Sequence, residues 1–207
     1  MPARLLTVGH GTLDQHALGA LLAGAGVARL VDVRRHPGSR RLPHVSRDAL
    51  ALWLPPLGIA YDWQPDLGGR RRPSPTSPSV ALRNEAFRGY ADWMATAAFA
   101  TALDGVMSAA GAETTAVMCA ETVWWRCHRR LIADAVILLH AGAVEHLFHD
   151  GRLRPHAVTD GARRSGNEVV YDRMSPATPA DAPPPAAPDR PRPTPRGAPG
   201  RQEPLPW

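Results

Sequence analysis

Short apolar runs alternate with stretches of helical periodicity from one end of the chain to position 150. The runs are Leu5–Gly9, Arg29–Arg34, Gly58–Trp63, Thr114–Cys119 and Val144–Phe148. Each is too short for a helix and too continuously apolar for a strand with one wet face, so each predicts a buried strand. Between them, Thr12 or Asp14 offers a cap for a helix burying Leu13, Leu18, Leu21 and Leu22. Ser46 caps a short helix carrying Leu50, Trp53 and Leu54, which Pro55 and Pro56 stop. Asn84 begins a helix with Phe87, Tyr90 and Trp93 on one face; two more run from Ala97 to Ala110, ending near Gly111, and from Arg126 to His140. Strand–helix alternation of this kind predicts an α/β fold: a single compact domain over residues 1–173, its mostly parallel sheet flanked by helices. From residue 174 the pattern stops. Twelve of the 22 prolines follow Ser175, and the segment 174–207 is expected to be a disordered Pro/Arg-rich tail with polyproline II tendency.

Sheets of this class bind ligands beyond the carboxyl ends of their strands. The residues that packing does not explain fall at those ends. His10 follows the first run, Asp32 and Arg34 close the second, and Cys119 with Glu121 closes the fourth. Charge points to the same edge. All 24 basic residues are arginine, the net charge is +5, and eight arginines lie between Arg34 and Arg72 against three acids. Guanidinium groups match phosphate and carboxylate geometry, so Arg34, Arg40, Arg41, Arg70, Arg126 and Arg129 form a candidate anion-binding set. Trp63, Trp124 and Trp125 beside these loops are candidate base-stacking platforms, whereas Trp53 reads as core.

Two cysteines are too few for a disulfide framework, which makes a reducing cytoplasm the expected compartment. The N-terminal stretch lacks the apolar segment of a secretory signal. The longest apolar stretch, Leu131–Leu139, contains Asp134 and is too short to span a bilayer, so no membrane partner is expected.

Several chemistries compete for the same residues. Cys119, at a strand end with Arg126, Arg129 and Arg130 downstream, is placed as a reactive thiol. The alternative is an inert cysteine packed on an apolar strand. His10, Asp32 and Glu121 supply a general acid–base inventory, although Asp32 next to arginines also suits a salt bridge. Cys127 and His128 are secondary candidates. With Cys119 and Glu121 they give four possible metal ligands, but neighbours on a predicted helix point about 100° apart. No metal is therefore assigned, and the cofactor is left open. A Cys119–Cys127 redox pair does not have the thioredoxin spacing, so geometry has to decide it. His146 and His149 read as surface residues beside the fifth strand.

Six ordered blocks carry a resemblance. They are Thr7–Thr12 (TVGHGT), Val31–Arg40 (VDVRRHPGSR), Leu67–Arg70 (LGGR), Asn84–Ala91 (NEAFRGYA), Met118–Glu121 (MCAE) with Arg126–Arg129 (RCHR), and Asp150–His156 (DGRLRPH). Together they resemble the family called domain of unknown function 488, over roughly residues 5–160. Gly11 stands where that family more usually carries serine. The resemblance implies one α/β domain and prescribes no activity.

The expected function is an enzyme with a cysteine-containing crevice acting on a phosphate-bearing substrate, a nucleotide or nucleic acid. The alternatives are a non-catalytic module binding nucleic acid or a nucleotide, and a metal-dependent hydrolase.

Overall fold

A computed structural model describes residues 3–173. The proline-rich segment lies outside the described residues. Five parallel strands, β1 (Arg4–Gly9), β2 (Arg29–Asp32), β3 (Ala60–Trp63), β4 (Thr115–Cys119) and β5 (Ala143–Leu147), form one sheet. A sixth, β6 (Leu153–Pro155), closes one edge antiparallel to β5, giving the order β3-β2-β4-β1-β5-β6. The α/β fold with a mostly parallel, helix-flanked sheet is thus what the chain adopts.

Alternating side chains divide the core in two. Leu6, Val8, Leu30, Ala116 and Met118 face α1 (Gln15–Gly24) and α2 (Arg47–Trp53) through Leu18, Leu22, Leu50 and Leu54. Leu5, Val31, Val117 and Val144 face the other way. There they meet α3 (Glu85–Met94), α4 (Ala97–Ala112) and α5 (Arg129–His140) through Tyr90, Phe99, Leu103, Leu131 and Ile132. Side-chain caps set the helix starts, as Asp14 accepts from the amide of Ala17, Ser46 from Ala49 and Asn84 from Ala86. A separate hairpin of β7 (Ala162–Ser165) and β8 (Glu168–Tyr171) contributes Val169 and Tyr171 to the second core.

The strand order creates a switch point. From β1 the chain leaves through α1 on one face and moves past β4 to β2. From β4 it leaves through α5 on the other face and moves past β1 to β5. Neighbouring strands whose connections diverge in this way leave a crevice at their carboxyl ends. Here those ends carry His10 and Cys119.

One expectation about α5 needs correction. The helix begins at Arg129 rather than Arg126, because Trp124–Arg126 forms a tight 3-10 turn and Cys127 is extended, at φ −126° and ψ 152°. Cys127 and His128 are therefore not neighbours on a helix. They precede it, free to point where the loop directs them.

Candidate active site

The β1–β4 junction is built by close backbone approach. The amides of His10 and Gly11 continue the ladder, donating to the carbonyls of Cys119 and Ala120 at 3.0 and 3.1 Å. Gly9 has no room for a side chain, since a Cβ there would overlap the carbonyl of Glu121 and lie 2.7 Å from an Arg129 guanidinium nitrogen. Gly11 has φ +54°, and a Cβ on it would collide with the hydroxyl of Thr122. Gly9→Ala should destabilise the domain by about 1–3 kcal/mol, the usual penalty for overpacking. A urea midpoint equal to wild type would show that the 120–122 segment yields freely.

On the β2 side, Asp32 is fully buried and grips Arg34 with two hydrogen bonds, Nε to Oδ1 at 2.8 Å and a terminal nitrogen to Oδ2 at 2.6 Å. Tyr61 donates to the same carboxylate at 3.0 Å, and Arg34 also donates to the Val45 carbonyl at 2.6 Å. The remaining terminal nitrogen of Arg34 lies 3.1 Å from His10 Nε2. A guanidinium only donates, so Nε2 is the acceptor. His10 Nδ1 lies 3.0 Å from the carbonyl of Gly11, which only accepts, so Nδ1 carries the proton. His10 is thereby held neutral in one tautomer. Burial, reinforced by the Arg34 charge, pushes its pKa down to about 4. Its lone pair accepts from Arg34 and so helps hold that guanidinium in place.

On the β4 side, the two sulfurs meet. Cys119 Sγ and Cys127 Sγ are 2.7 Å apart, and both residues are buried free thiols. Arg129, 1% exposed, donates from Nε to Cys119 Sγ at 3.1 Å and from a terminal nitrogen to the carbonyls of Glu121 and Thr122. His128 Nδ1 is 3.5 Å from Cys127 Sγ, and Nε2 of the same ring is buried without a partner. Burial and the bond to Cys127 push the Cys119 thiol well above the ordinary range. For Cys127 burial acts in the same sense, but the Cys119 hydrogen bond, His128 and Arg129 outweigh it and hold this thiol well below. The donors run from Arg129 N–H to the Cys119 sulfur, and one S–H bridges the two sulfurs.

The loop after β3 closes this end of the site. Gly69 packs against the His128 ring, where a Cβ would lie 2.9 Å from Nδ1, and Gly68 packs against Arg35. Next to them Arg70 takes a left-handed backbone, φ +61°, a conformation that is strained for a residue with a side chain. The blocks around His10, Arg34, Leu67, Cys119 and Cys127 are therefore joined by direct contacts.

A family model, Domain of unknown function DUF488, matches residues 15–136, from the start of α1 into α5. The chain belongs to this family. No curated protein and no solved structure matches it significantly. The DUF488 match contains Asp32, Arg34 and both thiols, while His10 lies before it.

The remaining candidates are spread around this core. Glu121 is exposed on the loop after β4, and it caps no helix because His128 occupies the cap position of α5. Arg40, Arg41, Arg70 and Arg126 are exposed, in contrast to the buried Arg34 and Arg129. The tryptophans already have partners: Arg47 lies over Trp63, and Trp124 stacks on His146 with 4.0 Å between ring centroids. Trp53 is half-buried against the first core and donates to the His44 carbonyl. Among the described residues no group of three or more His, Cys, Asp or Glu side chains is placed to hold a metal ion, and no helix is long and apolar enough to cross a membrane. A groove of about 600 Å³ opens beside α1, lined by Gly19, Ala20, Trp53 and Leu57 among others, but none of the site residues lines it.

One polar network was not anticipated. His146, expected at the surface, is 1% exposed, because β5 turns it toward the α5 face beside its cross-strand partner Thr7. The Thr7 hydroxyl is 2.7 Å from His146 Nδ1, His146 Nε2 is 2.9 Å from His156 Nδ1, and His156 Nε2 is 2.9 Å from Asp134. Asp134 also accepts from the Thr159 amide and the Tyr171 hydroxyl. The signal in the sequence was a polar residue at an inward position of each strand, Thr7 in β1 and His146 in β5.

Proposed function

We propose that the chain is a thiol enzyme acting on a phosphate-bearing substrate, a nucleotide or nucleic acid, with the thiolate shared by Cys119 and Cys127 as its nucleophile. The observation that carries this reading is the counter-ion of Arg129. A buried guanidinium needs a compensating negative charge, and the groups it touches are two neutral carbonyls and a sulfur. The dithiol pair is what can ionise there. Exposed Arg40, Arg41, Arg70 and Arg126 would hold the substrate's phosphate at the rim. Glu121, two residues beyond Cys119 and open to solvent, would protonate the leaving group. Asp32, Arg34 and His10 would keep the β2 and β1 ends in register. Access to sulfur requires the Trp124–Arg126 turn to move, since both thiols are nearly covered.

The test is alkylation of the full chain by iodoacetamide from about pH 5 to about pH 9. A thiolate held by Arg129 should alkylate with an apparent pKa below the usual value of about 8.5. Cys127→Ser should remove that reactive fraction, and a nucleotide at millimolar concentration should slow it. Alkylation that titrates only as an ordinary thiol would end the enzyme reading. A nucleotide that binds with steep salt dependence yet leaves alkylation untouched would favour the non-catalytic binding module.

A further inference from the structure

We infer that Cys119 and Cys127 are a peroxide-reactive dithiol, which cycles between the paired thiols and an intramolecular disulfide. The inference rests on the thiolate proposed above and adds a second reaction to it. Its basis is geometric: two free sulfurs stand 2.7 Å apart at the two ends of one loop, and these are the only cysteines in the chain. The spacing of seven intervening residues belongs to no CxxC motif, and proximity comes instead from the tight turn Trp124–Arg126, which brings the extended Cys127 back over the end of β4.

Burial selects the oxidant. At 2% and 5% exposure, the two cysteines exclude a bulky disulfide, and a small neutral hydroperoxide is the oxidant that needs the least movement of the Trp124–Arg126 turn to reach them. The Cys127 thiolate attacks one peroxide oxygen. An S–O bond forms, the O–O bond breaks, and the departing hydroxide or alkoxide takes a proton from solvent. Cys119, giving up its proton, then attacks the sulfenic sulfur. The S–S bond forms, the S–O bond breaks, and hydroxide leaves with that proton as water. Two thiols are oxidised by two electrons, and one hydroperoxide becomes an alcohol or water plus a second water. A low-molecular-weight dithiol reverses the change by thiol–disulfide exchange.

Arg129 sets the balance between the two states. In the reduced form it has a thiolate beside it; in the disulfide it has only carbonyls and a neutral sulfur. The reduced form is thereby stabilised, and the disulfide should be easily reduced. Oxidation leaves a buried charge uncompensated, so the loop should rearrange. Trp124 and Trp125 lie in that loop, with Trp124 stacked on His146, and their fluorescence should report the change.

The experiment treats the pre-reduced full chain with equimolar hydrogen peroxide. The expected product is monomeric on non-reducing gels, has lost both titratable thiols, is lighter by two hydrogens in intact mass, shows altered tryptophan emission, and returns to the start with dithiothreitol. Cys119→Ser should accumulate a dimedone-reactive sulfenic acid at Cys127, and Cys127→Ser should stay unreacted at the same dose. Oxygen adducts in the wild type without loss of two hydrogens, or two intact thiols, would overturn the inference. If alkylation has revealed a low-pKa thiol and peroxide gives no disulfide, the enzyme reading stands and only the redox cycle fails. If a disulfide forms while alkylation titrates as an ordinary thiol, the enzyme reading fails and the pair remains a redox centre.

Discussion

Acidification from about pH 6.5 to about pH 4 will remove several kcal/mol of the domain's stability. The cause is a pair of histidines buried in the neutral form. Burial and Arg34 lower His10 to about 4; burial, His156 and Arg129 lower His146 to about 2. In the unfolded chain both return to about 6.5. Below that value the unfolded state binds protons that the folded state refuses, so stability is full above pH 6.5 and falls as the pH drops. The slope is 1.36 kcal/mol per pH unit for each group, or about 3 kcal/mol each by pH 4. The loss attributable to His10 levels off below about pH 4, while that of His146 continues toward pH 2. The sum is a large share of the roughly 5–15 kcal/mol that holds a domain together. The Asp150 and Asp172 carboxyls, held low by hydrogen bonds from Arg152 and Arg163, act in the same sense below pH 4, but Asp150 is exposed and Asp172 only half-buried, so solvent screens both. Urea midpoints at a series of pH values would give the slope. His10→Gln keeps an acceptor for Arg34 and a donor for the Gly11 carbonyl, and should flatten that slope by about one proton. An unchanged slope in His10→Gln would mean that His10 titrates normally in the folded protein.

The parts of this molecule that could be read from sequence are those governed by local rules. The five parallel strands follow from apolar runs of strand length, and the caps Asp14, Ser46 and Asn84 from their side chains. The start of α5 did not follow. Helical periodicity runs back to Arg126, and His128 provides no side-chain cap to mark the boundary. That three-residue error hid the approach of Cys127 to Cys119, since a helical Cys127 would have pointed elsewhere. The strands β6 and β7, LRP and ARRS, carry no apolar run, and the run in β8, EVVY, lies outside the strand–helix alternation. The buried network escaped for a different reason: Thr7, Asp134, His146, His156 and Tyr171 come from five separate elements and loops, and nothing local relates them. The arginine excess was visible from the start, but not its division into buried groups, Arg34 and Arg129, and exposed ones. Arg34 meets Asp32 only two residues away, so its ion pair was legible, whereas the sulfur that meets Arg129 is brought to it only by the tertiary structure.

Asp134 is where that network meets the fold, and Asp134→Ala should cost about 3–5 kcal/mol, the range for removing one partner of a buried pair. The carboxylate is fully buried on α5 and ties two segments to that helix: the loop after β6, through His156 and Thr159, and the end of β8, through Tyr171. Alanine would leave a buried imidazole N–H, a backbone N–H and a phenol without acceptors, each an unmet desolvation cost. It would also open a cavity against α5. Tyr171 and Val169 are the hairpin's anchors in the core, so the damage should spread to residues 153–171 first. Hydrogen exchange provides the readout that a general loss of stability would not. Amides of β7 and β8 should lose protection in Asp134→Ala beyond what the global change explains, while those of β1 and β4 follow the global value. Asp134→Asn retains one acceptor oxygen and should recover part of the loss. Equal protection in all strands of the alanine variant would show that Asp134 stabilises the domain as a whole and does not specifically clamp the hairpin.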